Sequence, residues 1–137
     1  MGATGPHFSD AELRCKCGCG TNGCTQSLVD ALEAFRAIAG KPVRITSAYR
    51  CPDHNKAIGG AKGSQHLKGL AADIKVTGMT AAQLEQIALQ TPGIRGIGRD
   101  DHNGFLHIDT RENKAHWCYD SSGRQCTYYA PAGVVDS

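Results

Sequence analysis

Seven cysteines constrain this chain more than any other feature of its sequence, because they can tie distant segments together through disulfides or a metal ion. Four fall within ten residues and three lie far away, at Cys15, Cys17, Cys19 and Cys24, then at Cys51, Cys118 and Cys126. The spacing of the first four fits neither the gaps of a zinc knuckle nor a simple hairpin disulfide. We favour disulfides over a metal at these cysteines, since distant partners are available, and the odd count leaves at least one thiol unpaired.

Length and charge limit the classes of protein that the chain can belong to. With 137 residues it has the size of a single domain, and we expect a core over about 8–119 and a loosely held tail over 120–137. Fifteen basic and thirteen acidic residues give a formal charge of only +2, without a basic cluster, so nucleic acid is not an expected partner. The sequence has no apolar run long enough to predict a membrane helix. Residues 1–6 lack the pattern of a secretory signal. We expect a monomer.

The periodicity of apolar residues predicts an α+β domain with two main helices and a small antiparallel sheet. One helix covers 25–39 and stops at Gly40, and the other begins after Thr80 and ends before Pro92. A capping box of Ser9 and Glu12 predicts a short helical turn, and turn-forming residues from Cys51 onwards predict a long loop. Alternating residues predict short strands at 43–47, 71–76, 96–98, 105–109 and 115–119.

Two histidines and an aspartate form the constellation with the clearest chemistry. If 71–76 is a strand, Asp73 points to one face, and Gly69 lets the preceding loop fold back so that His66 approaches it. His107 on a neighbouring strand would then complete three corners of a tetrahedron, as a catalytic zinc ion with an open position requires. Taken singly, these residues also fit a loop histidine, a turn-capping carboxylate and a half-buried strand histidine. We expect the other histidines, His7, His54 and His116, on the surface.

The motifs around these residues resemble those of the zinc D,D-peptidases, the group of D-alanyl-D-alanine carboxypeptidases and peptidoglycan endopeptidases. The resemblance rests on Ser64-x-His66-x-x-Gly69-x-Ala71-x-Asp73, the later His107-x-Asp109, and Ser47-Ala48-Tyr49-Arg50-Cys51-Pro52-x-x-Asn55. It covers about residues 8–117 and includes a Phe-Ser-x-x-Glu arm with a Cys-x-Cys-Gly-Cys segment, which is typical of small members from phage and bacterial genomes. It implies the fold shared with the hedgehog signalling domain, and one zinc ion held by His66, Asp73 and His107.

The same resemblance implies a role for Arg50, which matches the arginine that faces the carboxylate of the substrate. A guanidinium suits this task because it is always charged and binds a carboxylate through two parallel hydrogen bonds. Ser64 and Gln65 stand where a hydroxyl and an amide can orient His66 or a substrate carbonyl, or where they only close the loop.

The general base is the point at which this sequence departs from better-known members, because Gly104 stands where many of them have an acidic residue. Asp101 has the position of the acidic residue in hedgehog-type relatives, and His102 that of a histidine in several carboxypeptidases and endopeptidases. Both lie on the loop that we predict from Gly98 to Gly104, and we rank Asp101 first. Asp109 ranks third, as a residue that orients His107 from the same strand or reaches the site itself.

The resemblance thus implies a zinc peptidase that cleaves peptidoglycan peptides next to a D-residue, at the cell wall or in the periplasm. Such a peptidase acts either as an endopeptidase or as a carboxypeptidase, and we favour the endopeptidase. Two other functions stay open. One is that of a non-catalytic module that holds zinc and binds cell wall, and the other is that of a structural component of a phage.

Overall fold

A computed structural model describes residues 2–59, 64–119 and 125–126 of the chain. It contains four helices in these ranges, namely α1 (Asp10–Leu13), α2 (Gln26–Ala39), α3 (Pro52–Ala57) and α4 (Ala81–Gln90). Its strands are β1 (Arg44–Ser47), β2 (Ala71–Lys75), β3 (Gly96–Asp100), β4 (Phe105–Asp109), β5 (Ala115–Tyr119) and β6 (Gln125–Cys126). The predicted α+β class is confirmed, while the predicted tail lies outside the described residues except for β6.

Helices α1, α2 and α4 begin where the capping residues predict. Ser9 with Glu12 and Thr80 with Gln83 form capping boxes at the starts of α1 and α4. Thr25 caps α2, which ends at Gly40 in the left-handed conformation. The apolar side of α2 is buried in the core. None of the helices in the described ranges is long and apolar enough to cross a membrane.

The strands form one sheet in the order β1-β2-β4-β3-β5-β6. All neighbours are antiparallel except β3 and β5, which run parallel, so the sheet is mixed rather than purely antiparallel. The predicted strand at 96–98 continues to Asp100, because β3 pairs with β4 as far as Phe105. The prediction that Gly98 flanks a loop is therefore wrong, and the turn between the strands comprises residues 101–104 only.

The sheet has a face that packs against the helices. Ala72 and Ile74 of β2 and Leu106 and Ile108 of β4 belong to the buried core, together with residues of α2 and α4. Since side chains alternate along a strand, residues 73, 107 and 109 belong to the opposite face. The alternation therefore separates the apolar core from the face on which the candidate ligands lie.

A polar group lies at the side of α4 that meets the sheet. Glu85 is fully buried, and its carboxylate lies 3.3 Å from Nη1 of Arg99 and 3.0 Å from Nε2 of His116. The expectation that His116 is a surface residue is wrong, because its side chain is only 8% exposed and is held by this carboxylate. A buried carboxylate requires such partners, since an unpaired buried charge is strongly destabilising.

Two features of the structure, a helix after Cys51 and the state of the clustered cysteines, differ from the sequence predictions. The segment after Cys51 is the helix α3 rather than a loop, with the Cys51 side chain as its N-cap and Pro52 at its first position. The predicted disulfides of the cysteine cluster are also wrong, since Cys15, Cys17, Cys19, Cys24 and Cys51 are free thiols. Cys118 is disulfide-bonded, and the strand register sets its backbone opposite residue 126.

Candidate metal centre

Five strands contribute to the row of residues across the sheet that contains the candidate site. The register pairs Asp73 of β2 with His107 of β4, His107 with Gly98 of β3, and Gly98 with Trp117 of β5. Ser47 of β1 continues the row on the other side of Asp73. Directly paired residues share a face of the sheet, so this pairing alone brings the carboxylate and the imidazole of His107 together.

His66 reaches this row from a loop that folds back before β2. Gly69 has a φ of 71°, and a Cβ there would lie 1.9 Å from the carbonyl oxygen of Gly23, so the turn admits only glycine. The amide of Gly69 donates to the carbonyl of His66 at 3.2 Å, which closes the turn. The conformation predicted for Gly69 is thereby confirmed, and it carries the His66 ring to within 5.2 Å of the His107 ring.

One oxygen of Asp73 lies between the two imidazoles. Its Oδ1 atom is 3.4 Å from Nε2 of His66 and 3.0 Å from Nδ1 of His107. His66 and His107 are both buried, and the side chain of Asp73 is 13% exposed. His66, Asp73 and His107 each offer one donor atom, and these atoms lie within 4.8 Å of one another, as three ligands of one metal ion require.

Each imidazole is held in a defined orientation by an acceptor on its other side. Nδ1 of His66 lies 2.7 Å from the carbonyl oxygen of Ala48, which only accepts, so this nitrogen carries the hydrogen and Nε2 keeps the lone pair. Nε2 of His107 lies 2.8 Å from Oδ2 of Asp109 and donates to it, so in the neutral ring Nδ1 keeps the lone pair. In the neutral rings both lone pairs are directed toward Asp73, which is the arrangement of histidines that bind metals. When a ring is protonated instead, the same nitrogen donates a hydrogen bond to Asp73.

Asp109 is itself held by Arg111, a residue that sequence reasoning missed. Nε and Nη2 of Arg111 donate to its two carboxylate oxygens at 2.8 and 2.7 Å. Gly96 makes room for this carboxylate, because a Cβ at that position would lie 2.1 Å from it. Asp109 thus supports His107 from behind, and its complete burial leaves it no access to solvent.

The pKa values of the two carboxylates and of His107 are shifted by the charges that these groups place on one another. Burial alone would raise the pKa of Asp73, but hydrogen bonds with His107 and His66 outweigh it and hold that pKa below its ordinary value. The pKa of Asp109 is likewise lowered, because His107 and Arg111 outweigh its burial. Burial alone would lower the pKa of His107, whereas its two carboxylate partners raise it. The pocket therefore favours a positive charge, which a metal cation supplies as well as a proton does.

An aromatic wall borders the metal centre and was also missed by sequence reasoning. The ring of Trp117 lies 5.1 Å from that of His107, and the guanidinium of Arg111 lies 4.8 Å from the Trp117 ring centre. Gly98 permits this packing, since a Cβ there would lie 2.6 Å from the indole. Tyr119 and Phe105 extend the wall, and burial raises the pKa of Tyr119 to about 12, so its hydroxyl stays protonated at neutral pH. The lone tryptophan near the motif was the available signal.

Arg50 lies beside the metal centre with only long contacts. Its Nη2 is 3.7 Å from Oδ2 of Asp73, its Nε donates to Oγ of Ser47 at 3.3 Å, and its Nη1 donates to Oδ1 of Asn55 at 3.4 Å. The backbone of Arg50 donates to the carbonyl of His66 at 3.2 Å, which fixes the two residues relative to each other. Among the residues that the structure describes, the guanidinium therefore has no bidentate partner at this position.

The other predicted site residues lie in two turns, the turn of His66 and the turn that follows β3. The hydroxyl of Ser64 accepts from the amide of His66 at 3.2 Å, and the carbonyl of Gln65 accepts from Leu70 in the same turn. Asp101 lies on the exposed turn after β3, where its carboxylate is 2.8 Å from Nε of Arg99. Arg99 also bonds to Glu85, so Asp101 is paired with a guanidinium that belongs to the helix-covered face of the sheet. His102 is exposed on the same turn.

The sequence is similar to those of a known protein family. The profile of the peptidase M15 family matches residues 6–109. The chain is 34% identical over 97 residues to the peptidoglycan L,D-endopeptidase MepK of Escherichia coli K12, over 66% of this chain and 52% of that protein. It is 32% identical over 80 residues to the zinc D-Ala-D-Ala carboxypeptidase of Streptomyces albus G, over 56% of this chain and 31% of that protein. The chain thus spans about half of MepK and a smaller share of the carboxypeptidase.

Replacement of Asp109 tests whether it orients His107 for a metal. Asp109→Asn removes the charge that holds Nε2–H of His107, and we expect zinc affinity to fall roughly 10- to 100-fold, as is usual for such supporting carboxylates. The measurement is zinc competition against a chromophoric chelator. Asp30→Asn, an exposed change on α2, is the matched control. Equal affinity in both variants would contradict the role.

Proposed function

The chain belongs to the peptidase M15 family, and we propose that it is a zinc-dependent peptidase of peptidoglycan, cleaving stem or cross-link peptides next to a D-residue. The observation that carries the proposal is the convergence of His66 Nε2, Asp73 Oδ1 and His107 Nδ1, with each ring fixed by an acceptor behind it. The names of the relatives support the substrate class and a place of action at the cell wall or in the periplasm. Both an endopeptidase and a D,D-carboxypeptidase outcome fit this site.

The donor set fits zinc rather than a harder cation. Two imidazoles and one carboxylate, with a further position free, are the ligands of many catalytic zinc sites, whereas calcium and magnesium prefer oxygen ligands alone. A zinc ion bound by His66, Asp73 and His107 would lower the pKa of a water molecule toward about 7 and polarise the scissile carbonyl. The protein's own contribution is to hold these three side chains in a buried, fixed geometry beside an aromatic wall.

Arg50 is proposed to bind a carboxylate of the peptide substrate. Its contacts to Asp73, Ser47 and Asn55 measure 3.3 to 3.7 Å, so a substrate carboxylate can replace them with shorter, paired hydrogen bonds. Because Arg50 lies against Asp73, a carboxylate bound there would lie next to the candidate metal centre. Ser64 and Gln65 are proposed to hold the His66 turn or to meet a substrate carbonyl.

The proton acceptor is proposed to come from the turn of residues 101–104. Asp109 is fully buried between His107 and Arg111 and thus serves as a support rather than a base. The ion pair of Asp101 with Arg99 engages its carboxylate on the other face of the sheet. We therefore rank His102 ahead of Asp101, reversing the order that the sequence favours.

Digestion of purified sacculi tests the proposed activity. We expect the zinc-loaded chain to release muropeptides whose mass identifies the bond cleaved, and a chelator to abolish the release. His66→Ala should lose both zinc and activity, whereas His7→Ala, a change at an exposed histidine paired with Glu33, should keep both. Binding to sacculi without any release by the zinc-loaded chain would instead support the non-catalytic module, and neither binding nor release would favour a structural phage component.

Arg50→Lys separates substrate binding from metal binding. We expect the variant to retain zinc but to lose roughly an order of magnitude or more in kcat/KM, because an ammonium cannot form paired hydrogen bonds to a carboxylate. Kinetics on a synthetic stem peptide with its carboxylates free or amidated provide the measurement. Arg44→Lys on the exposed side of β1 is the matched control. An equal response of wild type and variant to amidation would reject the assignment.

Substitutions in the 101–104 turn test the proton acceptor. We expect His102→Ala to lower kcat roughly 100-fold with zinc retained, the usual size of general-base assistance, and Asp101→Asn to lower it less. Wild-type kcat in both variants would show that the turn does not supply the base.

A further inference from the structure

A second cluster of potential metal ligands lies apart from the three-residue centre. Cys15, Cys17 and Cys19 follow α1, and Cys51 precedes α3, yet their four Sγ atoms lie within 4.8 Å of one another. The Sγ of Cys15 is 3.4 Å from that of Cys17 and 3.7 Å from that of Cys51. The Sγ atoms of Cys17 and Cys51 are 3.6 Å apart. The fold therefore gathers four thiols from two distant segments into one group.

The separations fit four thiolates around one ion. Zinc–sulfur bonds of about 2.3 Å in a tetrahedron place the sulfur atoms about 3.8 Å from one another. A disulfide would instead bring two of them to about 2.05 Å. We propose that Cys15, Cys17, Cys19 and Cys51 hold a structural zinc ion, in a closed four-thiolate site distinct from the candidate catalytic centre.

The backbone of the segment is shaped for this convergence. Gly18 and Gly20 have φ values of 89° and 77°, and a Cβ at either position would meet nothing within 4 Å. Glycine is therefore required at these two positions by the backbone conformation and not by crowding, since other residues rarely adopt positive φ. These glycines bend the segment of residues 15–20, in which the thiols of three cysteines in alternate positions converge.

Backbone amides also donate to two of the four sulfur atoms. The amide of Cys51 donates to Sγ of Cys15 at 3.4 Å, and the amide of His54 donates to Sγ of Cys51 at 3.4 Å. Hydrogen bonds to the charged form favour that form. Cys15 is only 2% exposed, so its thiolate requires a compensating positive charge, which the ion supplies.

Cys24 is not a member of this group, although the sequence places it beside the first three cysteines. It is buried in the hydrophobic core, and its thiol donates to the carbonyl of Leu13 at 3.6 Å. The fourth ligand is Cys51 instead. This difference supplies a matched control within the chain, because Cys24 and Cys51 are both free cysteines near the same segment.

The site would hold the segment that carries Arg50. The amide of Tyr49 donates to the carbonyl of Leu13 at 3.3 Å, the amide of Arg50 to His66, and the amide of Cys51 to the Cys15 sulfur. A zinc ion at Cys51 thus anchors the residue next to Arg50 to the N-terminal arm. Resting on the proposed function, this predicts that loss of the ion raises KM for the peptide while zinc at His66 is retained.

Metal analysis of the intact, zinc-loaded chain tests the site independently of activity. We expect two zinc ions per chain in the wild type and in Cys24→Ser, and one in Cys51→Ser, in Cys19→Ser and in His66→Ala. Cys19 is exposed, so Cys19→Ser tests the site without disturbing the core. After cobalt substitution, His66→Ala should keep the intense thiolate-to-cobalt charge-transfer absorption, and Cys51→Ser should lose it.

Two results would overturn the proposal. One is a wild-type chain in which mass spectrometry finds disulfides among the four cysteines, with no cobalt–thiolate absorption after reduction and metal loading. The other is an equal zinc content in Cys19→Ser, Cys51→Ser and Cys24→Ser. Failure of the proposed function looks different, since an inactive chain that still holds the cobalt–thiolate site leaves this inference intact.

Discussion

The Asp73 carboxylate shared by two buried imidazoles is the interaction on which the rest of the site depends. Taking an anion out of water costs several kcal/mol unless it is paired and hydrogen-bonded. Here Nε2 of His66 and Nδ1 of His107 face one of its oxygens, and Arg50 faces the other. The carbonyl of Ala48 and the carboxylate of Asp109 then fix which nitrogen of each ring is free. A site built in this way presents lone pairs and negative charge to one point, as a zinc ion requires.

The mixed sheet explains why this point is so well defined. One row of paired residues carries Ser47, Asp73, His107, Gly98 and Trp117 across five strands, so the backbone register positions the side chains. The two glycines of β3 leave the space that the Asp109 carboxylate and the Trp117 indole occupy. Helices α2 and α4 bury the other face, where the cost of ordering the chain is offset by apolar burial. The loops then supply only His66 and Arg50, tied together by a backbone hydrogen bond.

Local signals in the sequence were sufficient for most elements, whereas the convergence of the three candidate ligands was implied chiefly by the motifs shared with the zinc D,D-peptidases. Capping boxes and apolar periodicity act over a few residues, which is why α1, α2, α4 and the strand positions follow from the sequence. The helix α3 did not, because its N-cap is the Cys51 side chain, a residue that we interpreted as a possible disulfide partner. The parallel pairing of β3 with β5 and the grouping of Cys51 with Cys15 depend on contacts between distant segments. No local pattern encodes them.

Anomalous diffraction at the zinc absorption edge, from crystals of the zinc-loaded chain, tests the central claim most directly. We expect a peak about 2.0–2.2 Å from Nε2 of His66, a carboxylate oxygen of Asp73 and Nδ1 of His107, with Nε2 of His107 still bonded to Asp109. A peak coordinated through Nε2 of His107, or zinc bound without Asp73, would contradict the arrangement of donor atoms on which the proposed chemistry rests.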